Sequence, residues 1–171
     1  METKGNILYK YYLLMFICFV LDSIISYFTP LNFNKEGITL VPCIALMMYL
    51  LIIKNIQGAE KYFFGAVCGL FYSIVYANSL AIYILIYVFL AFLRTYIIKF
   101  EEFSFFEALL LSILTIFSQE FVVYWLMEIT NMTVLNVSHF LMMHALPTLL
   151  LNVILFVVVF IIYKNLKIEV S

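Results

Sequence analysis

From Tyr62 to Ile98 the chain runs for 37 residues with a single charged side chain, Arg94. A bilayer core about 30 Å thick is crossed by about 20 helical residues, so this stretch is too long to cross once and long enough to cross twice. A polar break at Asn78-Ser79 divides it. Two full spans and a re-entrant hairpin would both return the chain to the side it left; the length favours two spans. Nor can the rest be hidden in a soluble core. The 171 residues are 67% hydrophobic and only 11% charged, whereas soluble domains carry about 25% charged residues. The chain reads as an all-α integral membrane protein with one transmembrane domain, 1–171.

Six apolar segments follow, at about 7–28, 38–53, 62–77, 80–98, 103–127 and 139–163. They predict a compact bundle of six transmembrane helices. In the second, Pro42 is placed where a first helical turn tolerates proline, because the N–H it lacks has no helical partner there. The first segment is interrupted by Asp22 and followed by no small-residue cleavage site, so it is expected to stay as a span. In this arrangement Lys4, Lys10, Lys54, Lys61, Arg94, Lys99, Lys164 and Lys167 fall on one side, and Lys35 alone on the other. Cytoplasmic loops collect Lys and Arg, which puts both termini in the cytoplasm. A net charge of −1 offers nucleic acid no basic surface.

Ionisable groups inside a span are costly, and they are usually paired or functional. Asp22, Glu120 and His144 are three such groups. At 1.5 Å per residue each lies about 9–10 Å below the outer surface of the apolar slab. This predicts a buried polar layer in which His144 bridges one or both carboxylates; the alternative is that each side chain finds its own local partner. Asn152, near mid-membrane, can hydrogen-bond across helices. Pro147, five residues earlier, frees a carbonyl and can kink its helix. Gly65 and Gly69, four apart, share one helix face and let another helix approach closely. That helix is either a neighbour within the bundle or a partner's.

Enzyme signatures for nucleotide binding, zinc hydrolysis and serine nucleophiles are absent from the sequence. His139 and His144, five apart, do not align as metal ligands. Cys18, Cys43 and Cys68 sit singly in apolar sequence and read as small hydrophobes. Neither cofactor nor metal is expected, and no catalytic set. Asn131-Met-Thr133 and Asn136-Val-Ser138 fit the glycosylation pattern, which carries meaning only in a eukaryote.

Four stretches, in order along nearly the whole chain, resemble the MreD family of bacterial rod shape-determining membrane proteins in its Gram-positive form. They are Leu21-Asp22 through Thr29-Pro30, Leu40-Val41-Pro42 with Leu46 to Leu50, Gly65 and Gly69 followed by Leu70 and a Tyr-rich helix, and Leu146-Pro147-Thr148 with Asn152. Where the family often has an acid shortly after the second glycine, this chain has Tyr72-Ser73, and Ala81 stands where a glycine is common. The resemblance implies a non-enzymatic scaffold of the cell-elongation machinery (the elongasome) in the bacterial cell membrane. Such a scaffold binds an MreC-like single-span protein and works with MreB, RodA and a penicillin-binding transpeptidase in lateral peptidoglycan synthesis and cell shape. On that view Gly65, Gly69, Pro147 and Asn152 serve helix packing or the partner interface. The resemblance also implies a fold similar to the substrate-binding subunits of energy-coupling-factor vitamin transporters. The alternative function is such a subunit, with Asp22, Glu120 and His144 lining a ligand pocket open to the outside.

Overall fold

A computed structural model describes residues 4–28, 37–76, 80–96 and 104–166 of the protein. Thr29-Pro30, Lys35, Asn78-Ser79, Lys99 and Lys167 lie outside these residues. The helices are α1 (Lys4–Phe28), α2 (Ile44–Ile52), α3 (Glu60–Tyr76), α4 (Leu80–Tyr96), α5 (Phe105–Ile129), α6 (Val137–Phe140) and α7 (Leu146–Asn165). A single 3₁₀ turn, Ile53–Asn55, extends α2. A π turn, Leu141–Ala145, joins α6 to α7, so the last apolar segment is one rod with a widened turn. Among the described residues, three helical stretches are long and apolar enough to cross a membrane by length and composition: Leu8–Phe28, Phe105–Ile129 and Val137–Asn165.

The second segment departs from the expectation of a helix over 38–53. Residues 38–43 are not helical, and Pro42 precedes the helix instead of standing in its first turn. The helix that follows, IALMMYLLI, is apolar on every face because every one of its residues is buried. It is the axis of the bundle, with α1, α5 and α7 packed around it and α4 against its last turn.

Cross-contacts fix the directions of the other helices. Tyr12 meets Phe64 and Phe19 meets Phe71, so α1 and α3 run parallel. Phe105 meets Phe156 and Phe160 while Tyr124 stacks on Phe140, so α5 runs opposite to the last rod, and Gln119 reaches Tyr72 of α3. Lys61 Nζ donates to Thr95 Oγ1 at 3.1 Å, so α3 begins where α4 ends. Lys10, Lys54, Lys61, Arg94 and Lys164 therefore gather at one end of the bundle, the basic end.

The start of α5 is set by a capping box. Ser104 Oγ accepts from the Glu107 N–H, and the Glu107 carboxylate accepts from the Ser104 N–H at 2.9 Å. Tyrosines fill the space between α2, α3 and α4. Tyr72 stacks near Tyr83 and Tyr87 with centroids at 4.5 and 5.9 Å, and Tyr49 lies 4.8 Å from Tyr87.

Candidate functional site

Extended backbone inside a bundle needs partners for groups that a helix would satisfy internally, and in hydrocarbon each unmet group costs several kcal/mol. Residues 38–43 find those partners on α7. Thr39 N–H donates to Met143 O at 2.9 Å. Val41 N–H donates to Thr148 Oγ1 at 3.3 Å, and Cys43 N–H to Asn152 Oδ1 at 2.8 Å. The Asn152 amide returns a bond to Val41 O at 2.7 Å and another to Thr148 O at 2.9 Å. Every second residue of the segment faces the helix, as in a strand. Two residues of strand rise about 6.7 Å and four of helix rise 6 Å. His144, Thr148 and Asn152, spaced by four on one face of the rod, thus keep step with Thr39, Val41 and Cys43. The helix stands in for the edge of a sheet.

Pro147 takes part through what it lacks. It has no N–H to give the preceding turn, and the Met143 carbonyl in that turn accepts from Thr39. The π turn at Leu141–Ala145 widens the helix at this place.

At its lower end the segment becomes α2, whose first N–H groups have no helical partner. Asp22 on α1 supplies one oxygen to each of two: Oδ1 accepts from Ile44 N–H at 2.8 Å and Oδ2 from Ala45 N–H at 2.9 Å. A carboxylate at a helix N-terminus also meets the positive end of the helix dipole. Asp22 is 0% exposed, so this cap is made in the interior.

At the upper end His144 lies between two partners. Its Nε2 is 2.8 Å from Glu120 Oε2, and its Nδ1 is bonded to the Thr39 hydroxyl. In the neutral tautomer that lets Thr39 donate to Nδ1, Nε2 carries the hydrogen and donates to Glu120. Hydroxyl, imidazole and carboxylate in this order can activate a nucleophile. Here Thr39, His144 and Glu120 are all buried, and Phe140, itself buried, lies 5.3 Å from the imidazole. The arrangement ties α5, the rod and the extended segment together.

The structure thus joins His144 to Glu120 and gives Asp22 a different duty, with residues 38–45 linking the two. Sequence reasoning gave Thr39 no role and named Thr148 only as part of a family resemblance, although Thr148 completes the four-residue spacing from His144 to Asn152.

Gly65 and Gly69 face inside the bundle. A Cβ on Gly69 would stand 2.6 Å from both Ile84 Cα and Tyr83 O. One on Gly65 would meet the Tyr49 hydroxyl at 2.6 Å and Tyr87 O at 3.2 Å. The close approach these glycines allow is taken by α4 and Tyr49. Cys18, Cys43 and Cys68 are free and buried. Among the described residues no cluster of His, Cys, Asp and Glu could hold a metal ion. In the 128–138 stretch, Asn131 occupies a turn at φ 54°, and Asn136 caps α6 through His139 N–H.

The chain is similar to the rod shape-determining protein MreD of Bacillus subtilis (strain 168), with 23% identity over 147 residues, covering 84% of this chain and 86% of that protein. No protein-family model matches it, and no solved structure does.

Proposed function

We propose that this chain is a non-enzymatic, multi-pass scaffold of the bacterial cell membrane that serves cell shape as MreD proteins do. The observation that carries the reading is the similarity to the Bacillus subtilis shape-determining protein over most of both chains. Its physical support is that Asp22, Gly65, Gly69, Thr148 and Asn152, which carry the family resemblance, all build the interior. The likeness is therefore one of fold, and the partner meets outward faces.

In this reading the bundle crosses six times. The second crossing is made by residues 38–43 and Ile44–Asn55 together. Six extended residues span about 20 Å and twelve helical ones about 18 Å, enough for a core of about 30 Å. The basic end faces the cytoplasm and holds both termini. The partner is an MreC-like single-span protein, through which the scaffold joins MreB, RodA and a penicillin-binding transpeptidase in lateral peptidoglycan synthesis.

Depletion in a rod-shaped host, with affinity purification of the tagged chain from its membranes, tests this. Rounding of the cells and recovery of a single-span partner are expected. Unchanged rods, or a tightly bound vitamin in the purified protein, would overturn the reading.

A further inference from the structure

Helices α3 and α4 are shorter than their neighbours, and neither is among the stretches long enough to cross a membrane by length and composition. On α3 the apolar residues begin at Tyr62, after Glu60 and Lys61, and the helix ends at Tyr76. On α4 they run from Leu80 to Leu93, ahead of Arg94. These are about 22 Å and about 21 Å of helix, against a core about 30 Å thick. Asn78-Ser79 between the two helices adds polar sequence, not apolar length. Tilt would only lower the pair further.

The shortfall lies at one end. Asp22 meets Ile44 and Tyr11 lies beside Asn55, so α1 runs opposite to α2. The rod keeps step with residues 38–43 and so runs with α2, while α5 runs against the rod. Helices α1, α3 and α5 therefore share a direction. From the bond between Gln119 and Tyr72, α3 reaches back about 18 Å to Glu60 and α5 about 21 Å to Phe105, so the two start nearly level at the basic end. In the other direction α3 stops about 6 Å past Tyr72, whereas α5 continues about 15 Å past Gln119. Counted from the contact of Phe19 with Phe71, α1 outruns α3 by about 6 Å. The bundle is level at the basic end and stepped at the other, with α3 and α4 on the low side.

The outward face of that side is apolar. Phe63, Phe71 and Ile74 of α3 and Leu85, Phe89 and Phe92 of α4 are exposed. A short apolar span in a thicker core leaves its polar end in hydrocarbon unless the lipid thins to meet it.

We propose that the α3–α4 side of the bundle thins the bilayer beside it by about 8 Å, in the leaflet away from the basic end, and gathers phospholipids with short acyl chains there. The α5 side, with about 34 Å of helix from Phe105 to Met127, keeps the ordinary thickness. The proposal rests on the six crossings, with the stepped end outside.

Tryptophan quenching by brominated lipid compares the two sides in vesicles of the purified chain. Trp125, the chain's one tryptophan, is exposed on α5. Leu85→Trp with Trp125→Phe moves the reporter to an exposed position on α4, and Phe89→Trp, one turn along, serves if that variant does not accumulate. Dimyristoleoyl phosphatidylcholine should displace brominated dioleoyl phosphatidylcholine about threefold more effectively from position 85 than from Trp125. Equal displacement at the two positions would overturn the proposal. Asn78→Cys should also react with an impermeant maleimide added outside intact cells, with wild type, whose three cysteines are buried, as the blank. Labelling with equal displacement would overturn the thinning and leave the six crossings standing; no labelling would overturn both. Rounding of depleted cells and recovery of a partner do not depend on either outcome.

Discussion

The α3–α4 pair and the junction of residues 38–45 with α1 and α7 bring backbone close to a helix in opposite ways. The first does it by removing side chains. At Gly69 the α4 backbone lies where a methyl group would be. The second does it by supplying polar side chains: Thr148, Asn152 and Asp22 take up the N–H groups that extended backbone and a bare helix end leave over. The first contact is therefore governed by volume and the second by hydrogen bonding. A substitution that is mild in one region should be severe in the other.

The largest effect is expected at Asp22. Asp22→Ala leaves the Ile44 and Ala45 N–H groups buried without acceptors, at about 1–3 kcal/mol each. Asp22→Leu fills the volume and should be nearly as damaging. Asp22→Asn keeps one oxygen and should lose about half as much. Thermal unfolding of the detergent-purified variants ranks them. Leucine and asparagine variants of equal stability would mean that volume governs this junction too, and the contrast with the glycines would collapse.

Gly69→Ala comes next. Its new methyl group meets Ile84 Cα and Tyr83 O. Backbone cannot swing aside as a side chain can, so α4 as a whole must shift, at about 1–3 kcal/mol for overpacking. Gly69→Ser should be no better than Gly69→Ala, because added polarity does not relieve a clash. A serine variant as stable as wild type in the same unfolding assay would break the assignment of this contact to volume.

These two regions were unequally legible in the sequence. Gly65 and Gly69 announce themselves by spacing, and so does the cost of Asp22, Glu120 and His144 inside apolar runs. The depth arithmetic placed Asp22, Glu120 and His144 on one level; Glu120 and His144 bond to each other, while Asp22 caps α2 instead. What the sequence concealed is the extended form of residues 38–43. ITLVPC is apolar like the helix after it, and hydropathy does not distinguish a buried strand from a buried helix. Pro42 beside β-branched Ile38, Thr39 and Val41 was the available signal. The matching half lay a hundred residues away, in the spacing of His144, Thr148 and Asn152, and pairing the two needs three-dimensional contact. Ser104-x-x-Glu107 was a local signal that went unread; it caps α5.

The smallest effect sharpens the comparison most, because Gly65 combines both principles. The atom nearest its missing methyl group is the Tyr49 hydroxyl, the end of a side chain, and that hydroxyl donates to Tyr87 O at 2.8 Å. Tyr49→Phe removes this bond and should cost about 0.5–1.5 kcal/mol. Gly65→Ala displaces the hydroxyl and should cost a similar amount, less than Gly69→Ala. The two are in contact, so their costs should not add. With phenylalanine at 49 the hydroxyl is gone, and the added methyl meets only Tyr87 O, at 3.2 Å. The double variant should therefore unfold close to Tyr49→Phe alone. Additive losses would place the strain at the Tyr87 carbonyl, and Gly65 would then be a volume-limited contact of the same kind as Gly69.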